Sequence, residues 1–183
     1  MRKIILLLVT MFFFSCGEET IPKPKAYLSL EYPAQKYVNL RIKRPYFFEI
    51  SANTVIKELP KKWLKIKYPK LKASVDITYR PISNNLRELL MEAEKLVLEH
   101  TVKADHISWR NFTNKETEVY GKMCEIAGNA ASQVQFHVTD STKHFVKGSL
   151  FFYVKPNYDS ILPAVEYIKN DMIRMMETLE WRD

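Results

Sequence analysis

Val75-Asp76-Ile77-Thr78-Tyr79, followed after Arg80-Pro81-Ile82-Ser83 by Asn84-Asn85-Leu86-Arg87-Glu88-Leu89-Leu90-Met91-Glu92-Ala93-Glu94-Lys95-Leu96-Val97, changes its hydrophobic period partway along. Val75, Ile77 and Tyr79 alternate with polar neighbours, the period of a strand with one buried face. Leu86, Leu89, Leu90, Ala93, Leu96, Val97 and His100 instead fall on one helical stripe, with Asn84 or Asn85 placed to cap it.

Working upstream, residues 27–82 read as strands. Val38, Leu40 and Ile42 alternate with Asn39, Arg41 and Lys43, Tyr46 to Ile50 is aromatic-rich, and Leu64, Ile66 and Tyr68 alternate with Lys65 and Lys67. Pro45, Pro60, Pro69 and Pro81 break these runs. Downstream, strands return at His106 to Phe112, Thr117 to Ala127, Ala131 to Thr139 and His144 to Val154, with the polar run Thr139-Asp140-Ser141-Thr142 as a hairpin turn. A final helix capped by Asp159 or Ser160 carries Pro163 in its first turn and repeats Ile161, Val165, Ile168, Met172, Met175 and Leu179 by fours and threes. Strands, helix, strands, helix describes an α+β domain: a largely antiparallel sheet of about six to seven strands with two main helices packed on it.

The chain's 183 residues suit one domain with a substantial core, here residues 27–183. Hydrophobic residues at 46% and charged residues at 27% are ordinary globular values, which sets aside widespread disorder.

The N-terminus carries an address. Arg2 and Lys3 precede an apolar run from Ile4 to Phe14, interrupted only by Thr10. At about eleven residues it is too short for a bilayer span, which needs roughly twenty, so residues 1–15 read as a signal peptide. Ser15-Cys16-Gly17 resembles the lipobox of bacterial lipoproteins, in which the cysteine is acylated and becomes the new N-terminus. Residues 16–26, with Pro22-Lys23-Pro24, form an extended lipidated tether. Cleavage before Cys16 removes Arg2 and Lys3 and leaves 26 basic against 21 acidic side chains, a mature charge of +5. Cys124 is then the single free thiol, set among Tyr120, Met123 and Ile126 as a buried small hydrophobe.

Catalytic motifs are missing. His100, His106, His137 and His144 match neither HExxH nor a cysteine–histidine zinc spacing, and no P-loop or GxGxxG is present. No metal and no cofactor is therefore expected. Asp140, Ser141 and His144 raise a serine-hydrolase reading, but a nucleophile elbow is lacking and one hairpin rarely assembles a triad with its oxyanion hole. Lys57 to Lys72 holds seven lysines against Glu58 alone, interleaved with Trp63 and Tyr68. An exported chain has no nucleic acid to meet. Lys61, Lys62, Lys65 and Lys67 are either a solvated strand face or a contact for an anionic lipid, glycan or protein partner.

Asn129-Ala130-Ala131-Ser132, Gln135-Phe136, Thr139-Asp140-Ser141, His144-Phe145, Gly148, Leu150 and Phe152 together resemble the gliding motility lipoprotein GldD family of the Bacteroidetes. So do Pro22-Lys23-Pro24 with Tyr27-Leu28, Pro45-Tyr46, the stretch from His100 to Lys103-Ala104, and Pro156-Asn157 through Asp159-Ser160 to Trp181. Arg44 stands where some members carry cysteine, so no thiol role is carried over. The resemblance implies a non-catalytic envelope lipoprotein needed for gliding motility and type IX protein secretion. It would act as an assembly or scaffold component beside other gliding lipoproteins, on the outer membrane with its domain facing the periplasm. Gln135, Thr139, Asp140, Ser141 and His144 are the candidate interaction motif, unless they only build a tight turn. The competing reading is a glycan- or peptidoglycan-binding module that uses Trp63, Trp109 and nearby tyrosines as stacking platforms.

Overall fold

The computed structural model describes residues 32–99, 104–154 and 157–182. The signal peptide, Cys16, the tether, the first residues of the expected domain and the stretch 100–103 lie outside the described residues.

Seven strands form one antiparallel sheet: β4 (Val55–Glu58), β5 (Leu64–Tyr68), β6 (Ala73–Pro81), β7 (Ala104–Asn114), β8 (Val119–Gly128), β9 (Val134–Thr139) and β10 (His144–Phe152). Their spatial order is β4-β5-β6-β10-β9-β8-β7, so two meanders meet where β6 pairs with β10. The connection between meanders carries helix α1 (Leu86–Leu98) from the middle of the sheet to its far edge. A second helix, α2 (Tyr158–Glu177), follows β10. Two small sheets complete the fold: β1 (Tyr37–Asn39) pairs with β3 (Glu49–Ser51), and β2 (Tyr46–Phe47) with β11 (Glu180–Trp181). The architecture is α+β.

Strand alternation assigns the two faces. Val75, Ile77, Phe136, Val138, Val146 and Leu150 point to one side, where they meet Ile161, Val165, Ile168, Met172 and Met175 of α2 in the main core. Every apolar position of the expected stripe on α2 is buried. Each large side chain so enclosed contributes about 1.5–3 kcal/mol by leaving water. The opposite face is covered more thinly: Leu89 and Ala93 of α1 sit on Phe145, and Val97 on Cys124 and Ile126. Leu86 and Leu90 are only half-buried and Leu96 is exposed, so the helical stripe is wider than the seam it fills.

The aromatic-rich run Tyr46 to Ile50 divides between two small sheets, a split its composition does not mark, because the chain changes partner at Phe48: Phe47 pairs with Glu180, whereas Ile50 pairs with Val38. Helix α2 begins at Tyr158, ahead of the expected cap, because Asn129 Oδ1 accepts the Tyr158 N–H at 3.0 Å and satisfies one of the donors a helix start leaves open. Pro163 therefore lies beyond the first turn. For α1 the N-cap is Asn85, but its side chain accepts the Ser83 N–H at 2.9 Å and makes no cap bond into the helix. Among the described residues, no helix is long and apolar enough to cross a membrane.

Candidate functional site

The hairpin between β9 and β10 is built on one carboxylate. Asp140 Oδ1 accepts the backbone N–H groups of Thr142, Lys143 and His144 at 3.0, 2.9 and 2.8 Å, and Oδ2 accepts the Thr142 hydroxyl at 3.1 Å. Thr139 Oγ1 accepts the Ser141 N–H at 2.9 Å and donates to the His144 carbonyl at 2.7 Å. These bonds hold Ser141 at φ 69°, in the left-handed region. Burial pushes the Asp140 carboxyl up, but the three backbone donors outweigh it and hold its pKa below the ordinary value.

The five residues of the candidate motif do not share a surface. Period two along β9 puts Gln135 on the α1 face, while His144 opens β10 on the α2 face. There His144 Nδ1 lies 2.9 Å from the Tyr79 hydroxyl and its ring stacks on Trp181 at 5.2 Å. Asp140 reaches the backbone of His144, not its imidazole, so the acid–histidine relation that orients a catalytic base is not made.

The four candidate lysines divide as well. Lys61 and Lys62 occupy a single 3-10 turn, Pro60–Lys62, with φ of 58° and 63°. Such left-handed geometry costs roughly 1–2 kcal/mol per non-glycine residue. Their ammonium groups lie over Trp63 and Tyr79 at 5.9 and 5.5 Å. Lys65 and Lys67 project from β5 on the α1 face, where Lys65 bonds Asp76 at 2.5 Å.

That face holds a concavity. A cleft of about 390 Å³ opens between α1 and the β6–β10 pair, within the size range of small-molecule sites. Thr78, Gln135, Lys147 and Ser149 are among the residues of its floor, and Trp63, Leu96, Phe145 and Phe151 line its sides. Arg80 and Glu92 face each other across it at 3.5 Å. Gln135 is 3% exposed, and its amide oxygen lies 3.5 Å from the Ser149 hydroxyl. Burial lowers the pKa of Lys147 against the pull of Glu92 and Glu99. Trp109, the second expected stacking platform, stands on edge strand β7 and is not part of this cleft.

Two buried titratable groups escaped the sequence reading. Asp171, on α2 itself, is fully enclosed, and its Oδ1 accepts from Tyr37 at 3.0 Å and from Gln35 at 3.2 Å. Burial raises its pKa against the opposing hydrogen bonds. The available signal was its place on the apolar stripe, three residues after Ile168 and four before Met175. His137, buried under α1 and stacked on Phe145, is pushed down to about 4 by burial. Cys124 is 1% exposed, and burial with the neighbouring Glu125 charge raises its thiol to about 12. Among the described residues no group of three histidine, cysteine, aspartate or glutamate side chains is arranged to hold a metal ion.

No curated protein matched the chain. The family described as gliding motility lipoprotein GldD matches residues 17–181. That span contains the Asp140-centred hairpin, the α1-face cleft and the Asn129 cap of α2. The chain belongs to the gliding motility lipoprotein GldD family.

Proposed function

We propose that this chain is a non-catalytic envelope lipoprotein required for gliding motility and for the associated type IX protein secretion, where it serves as an assembly or scaffold component. It is held through acylated Cys16 in the outer membrane and presents its domain to the periplasm. The family match along residues 17–181 carries this reading. The chemistry of the hairpin supports the non-catalytic part. Asp140 spends its carboxylate on the turn's own backbone, and His144 is turned toward Tyr79 and Trp181. What the hairpin offers outward is its exposed tip, Ser141 to Lys143, a surface for a protein partner.

Complementation of a deletion strain tests the proposal, scored by spreading on agar and by secretion of type IX cargo. The wild-type chain restores both. Cys16→Ala loses lipid labelling and leaves the membrane fraction, since stable attachment depends on acyl chains. Ser141→Ala restores both activities, whereas Thr142→Arg with Lys143→Glu impairs both in a protein that still folds. Persistent lipid labelling in Cys16→Ala sinks the anchor. Complete loss of activity in a folded Ser141→Ala chain sinks the non-catalytic reading, because deleting a nucleophile costs several orders of magnitude in rate.

A further inference from the structure

A sheet face covered by a helix is ordinarily apolar, and Phe145, Cys124 and Ile126 beneath α1 obey this. The part left open as the cleft does not. Along β6 the inward positions are Asp76, Thr78 and Arg80, along β10 they are Lys147, Ser149 and Phe151, and β9 supplies Gln135. Burying such groups costs about 1–3 kcal/mol for each one left without a partner.

Two of them are incompletely paired among the described residues. The Gln135 side chain is 97% enclosed, its oxygen has only the long 3.5 Å approach of Ser149, and its amide nitrogen donates to no group of the described protein. Lys147, in the middle of the floor, makes no ion pair or hydrogen bond from its ammonium among the described residues, and the charges that act on it, Glu92 and Glu99, lie beyond ion-pair distance. The other charges are engaged: Arg80 with Glu92, Lys65 with Asp76, and Lys122 with Glu94. The floor therefore presents one ammonium without a contact partner among the described residues and an amide donor, with hydroxyls of Thr78 and Ser149 beside them. Trp63 and Phe151 add aromatic surface at the side.

This pattern discriminates among ligand classes. A phosphate ester would call for several converging cations or a nest of backbone N–H groups, and the floor is strand backbone committed to its ladder. A wholly apolar ligand would leave Gln135 and Lys147 unsatisfied. A pyranose ring carrying one carboxylate satisfies each feature: a single negative charge, many hydroxyls, and an apolar C–H face to lie on an aromatic ring. We infer that the cleft between α1 and the β6–β10 pair binds an acidic sugar, with its carboxylate toward Lys147 and its hydroxyls toward Gln135, Ser149 and Thr78. This gives the domain a saccharide-binding activity separate from the gliding role, and its test does not depend on motility.

The experiment titrates the full-length lipoprotein, solubilised in detergent, with trigalacturonate by calorimetry and by NMR chemical-shift perturbation. Its neutral methyl ester and a glutamate-rich hexapeptide serve as competitors of different class. Trigalacturonate binds and shifts resonances of Gln135, Lys147 and Ser149, while the ester and the peptide bind at least tenfold more weakly. Lys147→Met weakens binding by about tenfold to a hundredfold, the loss expected for one charge-assisted hydrogen bond. Gln135→Glu, which sets a negative charge in the floor, removes binding, and Lys115→Gln in the exposed turn between β7 and β8, outside the cleft, changes affinity by less than about twofold, as exposed charges do. Thermal unfolding of each variant separates loss of site from loss of fold, and Trp63→Leu gives a second weakened variant if Lys147→Met does not fold. Absence of trigalacturonate binding overturns the inference. So does equal affinity for the ester or the peptide, or unchanged affinity in both Gln135→Glu and the folded Lys147→Met or Trp63→Leu chain.

Discussion

The Tyr37 hydroxyl donates to Asp171 Oδ1 across 3.0 Å, tying the first strand of the described chain to the middle of the C-terminal helix. Gln35 adds a bond to the same oxygen, Tyr32 stacks on Tyr167 at 5.0 Å, and the Tyr167 hydroxyl donates to the Pro33 carbonyl at 3.1 Å. Any pull arriving from the N-terminal side thus meets α2 first, and through it the main core.

Asp171 holds this clasp at a cost. Its folded pKa lies above the ordinary carboxylate value because burial disfavours the charge. The native state therefore binds its proton more readily than the unfolded chain. Stability falls as pH rises through the window between the ordinary value and the raised one. Asp171→Asn keeps an acceptor for Tyr37 and removes the charge. Its Tm is expected to exceed the wild-type value at pH 7, with the gain disappearing near pH 3. Tyr37→Phe is expected to cost about 1–3 kcal/mol at neutral pH, since it strips a donor from a buried carboxylate. Thermal melts across pH check both.

His137 slopes the other way. Burial pushes it to about 4, with Lys122 and Lys147 acting in the same direction against Glu94, while the unfolded residue titrates near 6.5. Its contribution is complete above pH 6.5 and is lost as pH falls toward 4, on the order of 3 kcal/mol in all. His137→Phe, placed beside Phe145, is expected to flatten that part of the profile. Urea midpoints measured between pH 4 and 7 for the two chains give the difference directly.

The turn at Asp140 and Ser141 makes opposite predictions for adjacent residues. Asp140→Ala leaves three backbone N–H groups without their acceptor and is expected to cost about 1–3 kcal/mol. Ser141→Gly relieves a left-handed φ and is expected to be neutral or to gain up to about 1 kcal/mol. The depressed pKa of Asp140 adds a pH signature: its contribution is present above the ordinary carboxylate pKa and lost as pH falls through the folded one. Chemical denaturation at pH 7 and at pH 3 tests the pair.

Gly121 and Gly148 are fixed by close approach. A Cβ at Gly121 would collide with the His137 carbonyl of the neighbouring strand, and one at Gly148 with the Phe136 ring. A ring can tilt, whereas a ladder carbonyl moves only with its strand. Gly148→Ala is expected to cost about 1–3 kcal/mol, as overpacking does, and Gly121→Ala more. Comparison of their unfolding midpoints ranks the two.

Val75, Ile77 and Tyr79 announced β6, and Ile161 to Leu179 announced α2, because burial on one side of an element imprints its period on the chain. Period carries no information about which strand lies alongside. The split of residues 46–51 between two small sheets was therefore not legible, nor was the passage of α1 from the sheet centre to its edge. The cleft was hidden for a related reason: Thr78, Lys147 and Ser149 read as the solvent side of their strands until α1 is laid across them. Neighbourhood in sequence likewise suggested that Gln135 and His144 act together, while the pleat sends them to opposite faces. Asp171 disappeared inside an apolar stripe whose regularity did not need it.

The pairing of β6 with β10 has a kinetic meaning. Ala73–Pro81 must find His144–Phe152 after the whole intervening chain, α1 and three strands included, is available. Closing so large a loop before any contact compensates for it places this protein among slow, high-contact-order folders. A chain that is made N-terminus first has its earlier meander waiting, unzipped along one side, until the last strand arrives. Delay of this kind leaves the facing edges of β6 and β10 unpaired for longer than any hairpin edge of the sheet. The seam that joins the two halves is thus also a timer, set by topology, on when the lipoprotein becomes able to work.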